Sequence, residues 1–377
     1  MFELIFLVIF GLSIVHLLVP YLYYLRMSHL AKRPWSISLN QSYEPSVTII
    51  VPTYNESVVV EKKLQNLKEL DYPPEKLEII IVDSASTDNT TSLARLFLSK
   101  NEFPCKIKIL EEEERKGKAN ALNFALLSTM NQIVATSDAD SYWDTAALKK
   151  IVPYLADPQV GAVTGKEEFL NADQNVWTLA ESMYRQVYNT LRLGESKIHS
   201  TQFFQGELSL YKRKAFEKFN DTKGSDDSGT VKNIIASGYR TIFVPEAVFL
   251  DLAPHTLKGR IDLKERRALH LIHALIEAIK LKRKKRFPQP GFIVYTNLFI
   301  HLVNPFLSLA FLVALAYLAY RFPFLLLFTV PLFLLKKSRV LIASYLTSNL
   351  ALIGAVLKYI RGEEQVVWKK IDEMRRF

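Results

Sequence analysis

VTIIVPTYNE (47–56) passes from an unbroken β-branched run to a proline, a hydroxyl and a carboxylate. An apolar run without polar alternation describes a strand covered on both faces, as in parallel sheets. The pattern returns three times. Residues 79–82 read IIIV and lead into Asp83-Ser84-Ala85-Ser86-Thr87-Asp88. Residues 107–110 form a third run. Residues 133–135 form a fourth and lead into Thr136-Ser137-Asp138-Ala139-Asp140. Helical stretches fall between them at 58–70, 91–98 and 119–129. Alternating strands and helices build βα units, so the expectation is an α/β, Rossmann-like, mostly parallel sheet. Ligands of such sheets sit beyond the carboxyl ends of the strands.

Those strand ends carry hydroxyls, amides and carboxylates. Helix capping accounts for Asp88 and Ser57. It does not account for Asp138-Ala139-Asp140 straight after a buried strand. On an extended segment two carboxylates two apart share a face. Such a pair is self-repelling unless a hard divalent cation lies between it and a phosphate ligand. Lys116-Gly117-Lys118 opens the next helix, where ammonium groups and free N–H donors suit a diphosphate. A solvated charge run continuing Glu111–Glu114 is the plainer alternative.

Outside this middle the composition changes. The 377 residues carry a formal net charge of +10 and one cysteine, Cys105. A lone cysteine rules out an intrachain disulfide and fits a reducing compartment. Residues 2–25 contain one acid, Glu3, and no base. At 1.5 Å per residue they are long enough for a hydrocarbon core of about 30 Å. A cleaved signal peptide needs a basic start and a small-residue cleavage site, and neither is present. Arg26, Lys32 and Arg33 follow the run, which places Met1 outside and the globular part in the cytosol.

Residues 261–286 read as an amphipathic helix on the membrane surface, with a soluble surface helix as the alternative. Residues 292–360 hold three apolar segments. The first (292–320) is embedded, 322–335 is short, and 340–360 either spans or lies in the interface. The basic tail, 361–377, favours a cytosolic end. An N-terminus outside and a tail inside together require an even number of crossings after the globular part, and the expectation is two, plus one interfacial or re-entrant segment. The chain is therefore expected to be multi-pass in the cell membrane. Its basic clusters flank the apolar segments, so membrane lipid is the expected partner and nucleic acid is not.

TIIVPTYNE (48–56), IIIVDSASTDNT (79–90), KGKANALNFAL (116–126) and TSDADS (136–141), in this order, strongly resemble glycosyltransferase family 2. The likeness covers about residues 45–270. It is nearest to the membrane-integrated branch of hyaluronan, chitin and cellulose synthases. The resemblance implies a GT-A domain over 45–255, a nucleotide-sugar donor (a UDP-sugar first), and Mg²⁺ or Mn²⁺. It implies that Pro52, Thr53 and Glu56 line the nucleotide pocket and that Asp83 contacts uracil or ribose. Lys118 would lie near the donor, Asp138 would meet ribose and sugar, and Asp140, with Asp138, would bind the metal. Gln205, Gly206 and Glu207 match the acceptor-side segment. Asp227 falls at the catalytic base, with Asp226 before it. A positioned carboxylate is what the chemistry needs, because a sugar hydroxyl must lose its proton as it attacks. Capping of a helix at 231–236 is the alternative role for the two aspartates.

The family's processive members carry Gln-x-x-Arg-Trp before their membrane helices. Here Leu263-Lys264-Glu265-Arg266-Arg267 keeps only the arginine, Arg266, which suits a diphosphate. This departure favours single transfer to a lipid-linked or glycan acceptor over processive synthesis. A non-catalytic nucleotide-sugar binder is the reading from another class, but Asp138, Asp140 and Asp227 occur together, which argues for turnover. A sugar-phosphate nucleotidyltransferase would need a glycine-rich loop where VPTYNE stands. His255, His270, His273 and His301 lack metal-ligand spacing. Trp177, Tyr184 and Tyr188 read as a helix packing face, with an acceptor channel as the alternative.

Overall fold

A computed structural model describes residues 2–222, 226–325, 335–363 and 374. Among these, eight strands form one sheet in the order β3-β2-β1-β4-β7-β6-β8-β5. They are β1 (Val47–Thr53), β2 (Leu77–Ser84), β3 (Lys106–Glu112), β4 (Ile133–Thr136), β5 (Tyr142–Trp143), β6 (Val160–Phe169), β7 (Ser209–Lys212) and β8 (Arg240–Asp251). The first four in spatial order run parallel. β7 enters antiparallel between β4 and β6, and β8 returns parallel to β6. All four apolar runs read from the sequence are strands, each extended by one to four residues.

Both faces of the parallel half are covered, as unbroken apolar runs require. Ile49, Val51, Ile79 and Ile81 face one core with α2 (Val60–Lys68). Ile50, Ile80 and Val82 face the other with α4 (Lys118–Leu126) and α7 (Asp226–Ala236). The remaining sheet-domain helices are α3 (Thr90–Lys100), α5 (Ala147–Ile151) and α6 (Val176–Ile198). α6 starts from an Asn175–Thr178 capping box, which satisfies helix-end N–H groups reciprocally.

The flanking helices are not separate from this body. α1 (Phe2–Ala31) lays Tyr23, Met27 and Leu30 against Leu191 of α6. Gly194 makes that approach possible: a Cβ there would lie 2.4 Å from the Met27 carbonyl oxygen. α8 (Leu257–Arg283) buries Ala278 and Ile279 in the second sheet core. Farther back it packs Leu269 and Ile272 on α11 (Lys336–Ile360). α9 (Gly291–Leu298) runs through a π-helical turn (Phe299–Val303) into α10 (Asn304–Arg321).

Among the described residues three helices are long and apolar enough to cross a membrane: Phe6–Ala31, Gly291–Arg321 and Lys336–Ile360. Leu7, Leu12, Leu18, Val313, Tyr320, Leu341 and Leu350 on them are exposed. Most of the short apolar segment at 322–335, and most of the tail at 361–377, lie outside the described residues.

Candidate active site

The rim above β1 and β2 is stitched by short side chains. Thr53 donates to Asp83 at 3.0 Å, and Ser86 donates to Asp83 through both its N–H (2.9 Å) and its hydroxyl (2.6 Å). The Asn55 N–H donates to the Ser86 hydroxyl, the Thr87 N–H to the Asn55 side chain, and the Glu56 N–H to the Thr90 hydroxyl. Asn55 and Ala85 hold φ of +54° and +55°, sparsely populated for residues with a side chain and concentrated at functional sites. Asp88 stands one residue before Asn89, the N-cap of α3, and accepts from the Thr90 N–H at 2.9 Å. Asp83 and Glu56 are buried in this rim.

Beyond β4 the chain turns immediately. The Asp138 carbonyl accepts from the N–H and the hydroxyl of Ser141. The acidic triplet is thus a tight turn and not an extended segment. Asp138 meets Lys118 at 2.6 Å. Asp140 acts on the groups behind the turn, Lys63, Tyr142 and Asp251. Lys63 lies beneath, buried, donating to the Ser137 hydroxyl (2.6 Å) and the Ser141 carbonyl (2.5 Å). Burial brings its ammonium down to about 7 against the pull of Asp138, Asp140 and Asp251.

Lys118 stands at the start of α4, after Gly117 with φ +97°, a conformation that favours glycine. Its ammonium also lies 3.5 Å from Asp226. Burial opposes its charge, but Asp138, Asp226 and Glu207 outweigh burial and hold its pKa well above the ordinary lysine value. Asp226 and Asp227 form the first turn of α7, five residues before the helix start expected at 231. Burial first, then the charge of Asp226, push the Asp227 carboxyl up to about 6, against the Ser228 N–H and Lys118.

Gly206 passes so close that a Cβ would sit 2.8 Å from Lys118 Nζ. On one side of it Gln205 accepts from Arg192 (2.7 Å) and donates to Glu167 (2.7 Å). On the other, Glu207 accepts from Arg267 at 3.1 Å. Burial, then Asp138 and Glu167, push the Glu207 carboxyl up to about 8.

One cavity of about 540 Å³ joins these groups. Lys118, Asp138, Gln205, Gly206, Glu207, Asp226, Asp227 and Arg266 all line it, and it continues between the apolar helices to His301 and Tyr345. Pro52, Thr53, Glu56, Asp83 and Asp140 do not line it; they belong to the adjoining rim. Tyr184 and Tyr188, read first as a packing face, line the cavity, whereas Trp177 does not. Sequence reading passed over Lys63, Glu181 and Arg192. Lys63 had a signal: it shares the buried face of α2 with Val60, Leu64 and Leu67, where a charge is out of place.

The acids behind the turn suit a hard cation. Asp251 is pushed well above the ordinary carboxylate range by burial and by Asp140, Glu167 and Glu207. Carboxylate oxygens of Glu167, Glu207 and Asp251 lie within 4.8 Å of one another. Arg185 (2.7 Å) and Arg267 (3.6 Å) already attend Glu167. An all-oxygen donor set is the chemistry that Mg²⁺ and Mn²⁺ take.

The sequence profile described as Glycosyl transferase family 2 matches residues 48–219. The chain is similar to the mannosyltransferase PcManGT from Pyrobaculum calidifontis, solved in complex with GDP-Man and Mn2+. The two are 35% identical with a TM-score of 0.81, over 95% of this chain and 99% of that one. It is 28% identical over 264 residues to the poly-beta-1,6-N-acetyl-D-glucosamine synthase of Staphylococcus aureus, covering 69% of this chain and 62% of that protein. It is 27% identical over 255 residues to the probable glycosyltransferase YdaM of Bacillus subtilis, covering 65% and 61%. The chain thus spans less than two thirds of the length of these two curated relatives.

Proposed function

Because the chain belongs to glycosyltransferase family 2 and is a glycosyltransferase of GT-A fold, we propose that it transfers a hexose, with inversion, from a nucleotide-sugar to a lipid-linked or glycan acceptor at the membrane. One observation carries the reading: Asp227 shares a single cavity with Lys118 and Asp138, and that cavity continues between the apolar helices.

The roles follow from the chemistry. An acceptor hydroxyl attacks the anomeric carbon, the nucleoside diphosphate leaves, and a single displacement inverts the centre. Asp227 takes the proton, with a pKa near enough to neutrality for general-base work. Lys118 and Arg266 face the diphosphate. Pro52, Thr53, Glu56 and Asp83 form the nucleotide side. Asp140 and Asp138 would hold Mg²⁺ or Mn²⁺, with Asp251 behind. When bound, the cation supplies Lewis-acid stabilisation of charge on the leaving group. GDP-mannose is the first donor to test, given the Pyrobaculum relative, and UDP-N-acetylglucosamine the second, given the Staphylococcus relative.

Single transfer is favoured over processive synthesis. Arg267, where processive members have a tryptophan, is held by Glu207 and Glu167 and offers no ring for a sugar to stack on. The polymer synthase among the relatives supports the processive reading as the second one. We take 45–255 as the transferase domain, on the cytosolic side with the basic flanks.

Full-length protein in detergent or nanodiscs, supplied with Mn²⁺ and each donor in turn, is expected to release nucleoside diphosphate from one of them. Silence with every donor, with and without lipid extract, would overturn the reading. A ladder of products, not a single addition, would favour the processive alternative.

A further inference from the structure

Position 63 lies on the apolar stripe of α2 with Val60, Leu64 and Leu67, and all four are buried. A leucine or methionine there would satisfy the packing. A buried ammonium is unfavourable unless its surroundings answer it, so the reason for a lysine lies in what it meets. It meets both ends of one turn. Its Nζ donates to the Ser137 hydroxyl, before Asp138, at 2.6 Å and to the Ser141 carbonyl, after Asp140, at 2.5 Å. The turn's own hydrogen bonds are longer. The Asp138 carbonyl accepts from the Ser141 N–H at 3.4 Å and from the Ser141 hydroxyl at 3.1 Å.

Asn66, one turn along the same helix, repeats the arrangement. Its side chain donates to the Trp143 carbonyl and accepts from the Trp143 N–H, both at 2.8 Å. Trp143 in turn donates its indole N–H to the Glu207 carbonyl at 2.7 Å. One helix thus fixes the stretch from Ser137 to Trp143 at both ends, and the far end is tied to the residue after Gly206, which abuts Lys118. The charge of the lysine is answered too: Asp138, Asp140 and Asp251 all attract it. Carboxylates two residues apart repel each other, and a cation fixed beneath them offsets that repulsion before any ligand arrives.

We propose that Lys63, seconded by Asn66, is a positioning residue for donor binding. It holds the acidic turn in one shape from inside the protein, so that the donor's divalent cation meets a turn already formed. This rests on the reading above, in which Asp138 and Asp140 take that cation.

The test uses the full chain in detergent and begins without turnover. Calorimetry follows the binding of GDP and of UDP across a Mn²⁺ series. The wild type is expected to bind one of them with Mn²⁺ and far more weakly in EDTA. Lys63→Met keeps the length and removes the donors. It is expected to raise the Mn²⁺ concentration for half-saturation about tenfold or more, as the loss of hydrogen bonds from a charged group implies. Lys63→Gln keeps an amide donor and is expected to fall between the two. Ser137→Ala removes one acceptor with little change in volume and is expected to give a rise of about threefold; it is the independent variant should Lys63→Met fold poorly. In turnover with GDP-mannose or UDP-N-acetylglucosamine the same variants are expected to shift the Mn²⁺ dependence, with most of kcat recovered at saturating Mn²⁺. A purely structural lysine would lower Tm and the active fraction without moving the Mn²⁺ constant. An unchanged constant in both Lys63→Met and Ser137→Ala therefore overturns the inference while leaving the transferase reading intact. A wild type that binds neither nucleotide with Mn²⁺ overturns both.

Discussion

At the sheet end of the cavity two carboxylates, Asp138 and Asp226, meet one ammonium, Lys118. At the helix end two buried carboxylates, Glu181 and Glu167, share Arg185 and also meet Arg260, Lys264 and Arg267. The ratios are inverted within a single chamber. Buried imbalance of this size is unfavourable, and the ionisable groups answer to it: burial pushes Glu207 up to about 8 and Lys264 down to about 7.

The comparison can be broken most sharply at the junction of the two ends. Asp227→Asn removes the proton acceptor while keeping shape. Transfer is expected to fall by about a hundredfold or more, with donor affinity by calorimetry unchanged; normal turnover would put the base elsewhere. Gly206→Ala drives a methyl to 2.8 Å from Lys118 Nζ, and the flexible ammonium must swing away. Weakening a charge-assisted contact of about 1.5–3 kcal/mol is expected to lower kcat/KM for the donor about ten- to a hundredfold. An unchanged value would mean that Lys118 does not face the donor.

Acidity gives a finer test. The base works only when ionised, so activity is expected to fall as pH drops through about 6, where burial and Asp226 hold the Asp227 carboxyl. At pH 5 roughly a tenth of the plateau remains. Asp226→Asn removes the neighbouring like charge and is expected to move that limb to lower pH; a limb that stays in place belongs to another group. The smallest effect is expected far from both ends. Gly194→Ala forces α1 off α6 and is expected to lower stability by about 1–3 kcal/mol, read as Tm in detergent, with KM for donor and acceptor little changed.

The two ends also differed in how far the sequence revealed them. The sheet end is built from segments that each announce themselves. A buried strand followed at once by Asp138-Ala139-Asp140, or a glycine before Lys118, is legible within ten residues. Even there the triplet's turn was missed, because a local pattern does not say where a strand stops hydrogen-bonding. The helix end is assembled from α6 and α8, with α11 closing it. Glu181 looks like an ordinary helix charge until α8 brings Arg260 and Lys264 beside it. Tyr184 and Tyr188 both pack, on each other and on Phe203 and His301, and line the chamber, so periodicity alone left the two readings open. Lys63 shows the middle case: its place on an apolar stripe is visible, but its role under the acidic turn depends on Ser137 and Ser141, more than seventy residues away.

The backbone at 205–206 has a mechanical consequence. Gln205 is hydrogen-bonded to Arg192 and Gly206 abuts Lys118, so one peptide unit ties two of the cavity's cations to the same short stretch of backbone. A shift of Lys118 is therefore felt one residue away, at the arm that holds Arg192. A link this short couples the two without any distant rearrangement.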